Sequence, residues 1–313
     1  MNRDILATLT QWHADGKLGH AYVFAGPKGI GKFETARALA QRVNCLKDAM
    51  DPLTCDCGSC RKIAGGNHPD IFVLEKPEDK TGIGIDQIRL LIERFEFRAL
   101  EARVKFAIVK SAELIHEGAA NAFLKTLEEP RQDTVLILTT ALPDALLSTI
   151  RSRCQWMHFP GMPEKELVGL LQKEHGLSAH DAVVLAAFGQ GSPGRALDLG
   201  EAFLARRSRL LDAFFSPGDA EGLIKVVGPQ REDGDLALGV ILMVLRDAMM
   251  LHCGTPESVV NRDRQVEIKR LAQRYTPREL SAHAALVQDA LRRIDGHQNM
   301  KVVLTVVREM LVS

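Results

Sequence analysis

Residues 21–32 read AYVFAGPKGIGK and decide how the first part of the chain folds. The first five are a short apolar run that ends at a glycine, which is typical of a buried strand. The next seven match G-x-x-x-x-G-K, and apolar residues at helical spacing follow over 32–43. Between a strand and a helix, such glycines turn backbone amides toward phosphate oxygens, and the lysine reaches the outer phosphates. The candidate phosphate-loop residues are Gly26, Gly29, Gly31 and Lys32.

Short apolar runs separated by helical stretches continue beyond this loop. The predicted strands are 21–25, 70–74, 106–109 and 135–138. Helical patterns at 85–95 and 119–129 lie between the later strands. Strands that alternate with helices form a parallel sheet with helices on both faces. We therefore predict an α/β domain over residues 1–161.

The pattern changes at residues 159–163, which read FPGMP. Beyond this point the apolar residues follow helical spacing, and no convincing strand pattern appears. Residues 189–194, GQGSPG, form a tight break between two helical stretches. We predict a small helical lid over 162–207 and an all-α domain over 208–313.

The composition is that of an ordinary globular protein, with 46% hydrophobic and 26% charged residues among 313. Lys+Arg and Asp+Glu both total 40, so global charge gives no argument for binding nucleic acid or membranes. The first residues show no signal peptide, and the longest apolar stretch, 236–245, is too short to span a membrane. We expect no membrane association and a cytoplasmic, reducing location, where clustered cysteines favour metal over disulfides.

Four cysteines lie close together behind the predicted phosphate-loop helix. They are Cys45, Cys55, Cys57 and Cys60. The last two form a C-x-x-C pair, whereas Cys55 and Cys57 are separated by one residue, which is tighter than usual. The cluster predicts a closed structural Zn²⁺ site within residues 45–60 and no catalytic water. Two alternatives stay open: unliganded thiols, or three cysteines with an outside ligand such as His68.

Two positions that should hold magnesium carry the wrong side chains. The residue after the loop lysine should be Ser or Thr, but it is Phe33, which has no hydroxyl. The strand at 106–109 should end on an acidic residue, but it ends on Lys110. Glu113 comes several residues later, and we expect it on the wrong side of the turn. The loop is therefore predicted to bind ATP or ADP weakly, without Mg²⁺, or only to pack helix against sheet.

Several motifs resemble the clamp-loader branch of the AAA+ ATPases, the machines that open ring-shaped sliding clamps onto DNA. The cysteine insertion is one, and the others are HAYVF at 20–24, HPD at 68–70, NAFLKTLEEP at 121–130, SRC at 152–154 and GSPGRAL at 191–197. They occur in family order over about the first two-thirds of the chain. The resemblance implies an AAA+ domain, a helical lid and a C-terminal collar domain for oligomerisation.

The resemblance also implies roles for two arginines. The arginine of the SRC motif, Arg153 here, reaches across a subunit interface to ATP held by the neighbour in that family. Arg195 matches the lid arginine that senses phosphate in active relatives, a role that Phe33 and Lys110 weaken here. Arg153 is thus the only catalytic residue that the resemblance implies, and it would act in trans.

Together these features predict a non-motor clamp-loader subunit without ATPase activity of its own. Its expected partners are motor and clamp-opening subunits in a hetero-oligomer, and through that complex the sliding clamp and primed DNA. One alternative is an ATP-hydrolysing AAA+ motor, which Phe33 opposes. Another is a zinc-dependent nucleic-acid-binding protein, which lacks support because acidic residues match the basic ones around the cysteines.

Overall fold

The computed structural model describes residues 1–47, 54–217, 220–228, 230–295 and 300–312. They form two compact units, one of residues 1–163 with 190–195 and one of residues 164–189 with 196–313. Among the described residues, no helix combines the length and the apolar character that crossing a bilayer requires. The predicted three-part division, with boundaries after residues 161 and 207, stays a prediction.

The first unit is built on a five-stranded, wholly parallel sheet with the strand order β2-β3-β4-β1-β5. The strands are β1 Ala21–Ala25, β2 Ile71–Leu74, β3 Lys105–Val109, β4 Thr134–Thr140 and β5 Gln155–His158. The three central strands are buried along their whole length, as their apolar sequences require. The four predicted strands are confirmed.

The fifth strand was not predicted. β5 pairs with β1 and, among the described strands, lies at an edge of the sheet. Its first and last residues, Gln155 and His158, are polar and exposed, so the apolar run that marks a buried strand is missing. Its pairing with β1 is a tertiary interaction that the local pattern does not encode.

Helices cover both faces of the sheet. In this unit they are α1 Arg3–Ala14, α2 Lys32–Val43, α3 Gly58–Ala64, α4 Ile85–Glu96, α5 Glu117–Glu128 and α6 Ser148–Arg151. Leu9 of α1 and Leu39 of α2 share one core with Phe24 of the sheet. Ile88 of α4 and Phe123 of α5 share the core on the other face. The predicted α/β class with a helix-covered parallel sheet is therefore confirmed.

The second unit contains only helices among its described residues. They are α7 Glu164–His175, α8 Ala179–Gly189, α9 Pro193–Phe215, α10 Glu221–Val227, α11 Arg231–His252, α12 Gln265–Arg274, α13 Pro277–Asp295 and α14 Met300–Val312. The first residues of α9 belong to the first unit. At Gly200 the backbone leaves helical geometry with φ of 57°, a conformation that glycine adopts without a Cβ penalty. The core contains Leu211 of α9, Leu245 of α11 and Leu304 of α14.

Candidate functional site

The phosphate loop lies at the carboxyl ends of β1 and β4. Gly26 N donates to Thr140 O over 3.2 Å, which fixes the start of the loop beside the last residue of β4. Gly31, which precedes α2, has φ of 93°. A Cβ at Gly31 would lie 2.4 Å from Met1 N, so conformation and space both require glycine there. The loop therefore has the strand-to-helix setting that the sequence predicts.

Lys32 closes the loop on itself. Its Nζ donates to Gly26 O and Pro27 O over 2.6 and 2.7 Å, and the residue is only 8% exposed. Burial lowers the pKa of Lys32, while the charges of Glu113 and Glu34 act in the opposite direction. The ammonium that would reach outer phosphates thus has two carbonyl acceptors within the chain.

The segment at 190–195 contacts the same loop. Gly194 N donates to Gly29 O over 3.1 Å, and a Cβ at Gly29 would lie 2.7 Å from Ser192 Oγ. Arg195 is exposed, and its Nη1 donates to Gln190 Oε1 over 2.9 Å. The structure therefore brings the loop glycines and the backbone of this segment together, while the guanidinium of Arg195 contacts a glutamine.

Phe33 and Lys110, the two residues that replace magnesium ligands, contact each other. Lys110 Nζ lies 4.2 Å from the centroid of the Phe33 ring, and the guanidinium carbon of Arg37 lies 5.8 Å from the same centroid. Lys110 Nζ also pairs with Glu75 Oε2 over 2.8 Å. The ammonium is thus held against the face of the ring by a cation–π contact and an ion pair. A fixed cation stands beside the position where a hydroxyl would hold magnesium, and it repels a divalent ion.

The expectation for Glu113 needs correction. Its carboxylate contacts the backbone N–H that follows Thr140, whose carbonyl oxygen accepts from Gly26 N, so Glu113 lies on the loop side of the turn. Glu113 Oε1 accepts from Ala141 N over 3.4 Å, while Oε2 is buried without a hydrogen-bond partner among the described residues. A short helical turn that starts after Ser111, whose φ is 51°, returns Glu113 toward the loop. That left-handed residue is a feature that the apolar pattern does not reveal.

Restoring the two missing ligands should restore metal-dependent nucleotide binding. In a double variant, Phe33→Thr with Lys110→Asp, a hydroxyl and a carboxylate replace the ring and the ammonium. We expect affinity for ATP with Mg²⁺ to rise at least about tenfold, or ~1.4 kcal/mol, in calorimetric titration. The matched control, Phe33→Leu with Lys110→Met, removes ring and charge without adding ligands and should gain little. Equally tight Mg²⁺-dependent binding by the unaltered chain would contradict this account of the loop.

Arg153 follows α6 and points to the carboxyl end of α5. Its Nε and Nη2 both donate to Glu128 Oε1, over 2.9 and 2.5 Å. Its Nη1 donates to Thr149 O and Ser152 Oγ over 3.0 and 3.2 Å. The carboxylate partner was missed in the sequence, although Glu128 lies in the quoted stretch 121–130. The distance of 25 positions along the chain conceals the pair.

The four clustered thiols lie together. All four Sγ atoms are within 4.8 Å of one another, and Cys45 Sγ is 3.6 Å from Cys55 Sγ. Tetrahedral zinc with Zn–S bonds of about 2.3 Å needs sulfurs about 3.8 Å apart, so the four cysteines fit this metal. Positions 48–53 of the predicted module lie outside the described residues. These thiols could hold a metal ion of the zinc type.

Local backbone structure positions the cysteines. Cys45 follows α2, while Cys57 caps the start of α3 and accepts from Cys60 N over 3.4 Å. Burial acts to raise the pKa of Cys57. The N–H groups of Cys60 and Leu46, with neighbouring thiols, outweigh it and lower the pKa to about 6. Burial and neighbouring thiols raise the pKa of Cys60. These N–H groups thus favour the thiolate form of Cys57, which is the form that binds a metal.

His68 has a different setting from the cysteines. It does not belong to the group of ligand atoms within 4.8 Å, and its Nδ1 accepts from Asp70 N over 3.2 Å. The Asp70 carboxylate in turn accepts backbone N–H bonds from residues 100–102. Asp70 therefore anchors the segment before β3, and His68 contacts the backbone of Asp70. The four-cysteine set is the arrangement that the structure favours.

Matches to family models cover most of the chain. Residues 1–163 match the model described as DNA polymerase III, delta subunit. Residues 201–312 match the model described as DNA polymerase III, delta subunit, C terminal. The first match corresponds to the sheet-based region described above, and the second lies within the helical region.

Full-length relatives agree with these matches. DNA polymerase III subunit delta' of Bacillus subtilis is 31% identical over 295 residues, covering 91% of this chain and 88% of the relative. The Escherichia coli subunit delta' is 29% identical, covering 85% and 80%. A solved DNA polymerase III gamma-subunit-related protein of Thermotoga maritima is 22% identical, with a TM-score of 0.48 and 98% coverage of both chains. The family-model matches and the two delta' relatives show that the chain belongs to the family of delta-prime subunits of the bacterial DNA polymerase III clamp loader.

Proposed function

We propose that this chain is a non-motor part of the clamp loader that assists ATP hydrolysis on a neighbouring subunit. It assembles with motor and clamp-opening subunits into a cytoplasmic hetero-oligomer through its C-terminal helices. Through that complex it takes part in ATP-dependent loading of the sliding clamp onto primed DNA. Its own contribution to the chemistry is Arg153, supplied in trans.

One observation carries the proposal. The Lys110 ammonium lies against the Phe33 ring, 4.2 Å from its centroid, beside the place for a magnesium ligand. The hydroxyl that would hold the divalent ion is therefore replaced by a ring with a cation beside it, while Arg153 is present. Since hydrolysis depends on the metal bridging the β- and γ-phosphates, loss of the metal position removes hydrolysis and leaves accessory roles. The same contact opposes the alternative of an independent ATP-driven motor.

Arg153 is suited to a role in trans. Guanidinium is planar, permanently charged and matches phosphate oxygens with two parallel N–H donors. Its side chain is 33% exposed, so a phosphate group on another subunit can approach it. In related phosphoryl-transfer systems, an arginine supplied across an interface is worth about 10³–10⁵ in rate.

The loop and the cysteines then have supporting roles. Gly26, Gly29, Gly31 and Lys32 keep their phosphate-loop positions, and with Arg195 they bind ATP or ADP weakly or not at all. Zn²⁺ bound by Cys45, Cys55, Cys57 and Cys60 joins the end of α2 to α3. Gln41 of α2 reinforces this joint, because its Nε2 donates to Cys60 O over 3.2 Å. Hydrogen bonds to residues that bind a metal help to orient them.

Losing one cysteine should release the metal. We expect the Cys57→Ser variant to fall from about one zinc per chain to a small fraction, because a structural site needs all four thiolates. Zinc released by a thiol reagent and read with a colorimetric chelator measures this content. The matched control is Cys253→Ser, which alters an exposed cysteine outside the cluster and should leave zinc content unchanged. Full zinc content in Cys57→Ser would exclude the four-cysteine site.

Reconstitution tests the proposed role as a whole. The purified chain and the purified motor subunits are assayed for Mg²⁺-dependent ATP hydrolysis, separately and combined, with and without clamp and primed DNA. We expect background turnover from the chain alone and faster turnover from the combination than from the motor alone. Robust hydrolysis by the chain alone, or no stimulation on mixing, would refute the proposal.

A further inference from the structure

The guanidinium of Arg153 already has an anion inside its own chain. Arginine has five N–H donors, and four of them have acceptors here. Two point to Glu128 Oε1, one to Thr149 O and one to Ser152 Oγ. One hydrogen on Nη2 is left without an acceptor among the described residues. The Nε–Nη2 edge of the guanidinium, which could donate two bonds to a phosphate, is therefore occupied by one carboxylate oxygen.

We propose that Glu128 is a positioning residue. Its ion pair keeps Arg153 bound within its own chain, which we call storage, and sets how readily Arg153 becomes available to a neighbour's ATP. This inference rests on the proposed function of Arg153. Carboxylate and phosphate oxygens compete for the same edge of a guanidinium, because both match its parallel donors. Engagement of phosphate on another subunit thus requires Arg153 to exchange Glu128 for the new anion.

The position of Glu128 fits storage better than stabilisation of the fold. It is the last residue of α5, where the helix dipole disfavours a negative charge. Its side chain is 51% exposed, and the arginine lies at the protein surface as well. The carboxylate is therefore held at the end of α5 by Arg153, and the helix gains nothing from its charge.

Water also keeps the exchange easy. Ion pairs exposed to solvent contribute about 1 kcal/mol or less, because water screens the charges and holding two side chains costs entropy. An energy of ~1 kcal/mol corresponds to about a fivefold change in the available fraction of Arg153. The contacts of Nη1 with Thr149 O and Ser152 Oγ remain when Glu128 leaves, so the guanidinium keeps one anchored side.

The Glu128→Gln variant tests the inference in the assembled complex. Glutamine keeps the size of the side chain and one acceptor oxygen but loses the charge that competes with phosphate. We expect kcat for ATP hydrolysis to rise about two- to fivefold, with the KM for ATP unchanged, since Arg153 acts on the reaction and not on ATP binding. The free chain should keep its unfolding midpoint. A kcat that stays the same or falls would overturn the inference.

Two further variants separate this idea from the proposed function. Glu129→Gln removes the neighbouring exposed charge, whereas the ion pair of Arg153 is with Glu128, and should leave kcat unchanged. Glu128→Gln combined with Arg153→Ala should behave as Arg153→Ala alone, because storage has no effect without the stored group. If Arg153→Ala has no effect, the proposed function fails. If Arg153→Ala slows the complex but Glu128→Gln does not accelerate it, only the storage role fails.

Discussion

Replacing Arg153 with alanine is expected to slow hydrolysis at the adjoining ATP site of the assembled complex about 10³-fold or more. The reason is electrostatic. Charge on the transferring phosphoryl group is met by a permanently charged fork, and no other group described in this chain replaces it. Single-turnover hydrolysis by the reconstituted complex measures the effect directly, because product release does not limit that rate.

Arg151 provides a matched control for this experiment. It lies two positions away, is similarly exposed and pairs with Asp144 over 3.5 Å instead of Glu128. Arg151→Ala should therefore leave the single-turnover rate within about twofold of the unaltered complex. Equal losses in both variants would mean that general surface charge, and not Arg153 itself, supports the reaction.

The largest effect on stability is expected from Arg207→Ala in the helical unit. Arg207 is 3% exposed and donates to Asn261 Oδ1 and to both carboxylate oxygens of Asp263, over 2.6 to 3.0 Å. Asn261 in turn donates to the fully buried Asp247 over 2.7 Å. Removing one member of a buried charged network leaves its partners unpaired and costs about 3 kcal/mol or more.

Denaturant unfolding of the full chain measures this cost. Hydrogen exchange across α9 and α11 then assigns the loss to the helical unit. Arg209→Ala is the control, because Arg209 lies two positions along the same helix and is exposed, so its loss should stay within about 0.5 kcal/mol. If Arg207→Ala unfolds no more readily than Arg209→Ala, the network does not stabilise this unit.

Local pattern was sufficient for most of the fold. The runs at 21–25 and 106–109 are apolar throughout because these strands are buried on both faces, and such runs are visible in sequence. β5 was not predicted, because its polar, exposed end residues, Gln155 and His158, break the apolar pattern of a strand. Helix α3 was not predicted either, since its seven residues are positioned by Cys57 at its start and by contact with α2.

The candidate site divides in the same way. Phe33 and Lys110 could be recognised one at a time from motif positions, and four cysteines from their spacing. The contacts of Phe33 and Lys110 could not be predicted, because Lys110 contacts Phe33 and Glu75 only after β3 has paired with its neighbours. The same holds for Glu128 and Arg153, which belong to different helical segments. Side-chain partners distant in sequence are set by packing, and a single sequence does not report them.

Under the proposed function, this chain assists hydrolysis without performing it. The most direct test is a reconstituted complex in which every motor subunit carries an alanine in place of its phosphate-loop lysine, while this chain is unaltered. We predict that Mg²⁺-dependent ATP hydrolysis falls to background, because no remaining site seats the metal. Residual hydrolysis that disappears when Lys32→Ala is introduced into this chain would contradict the claim.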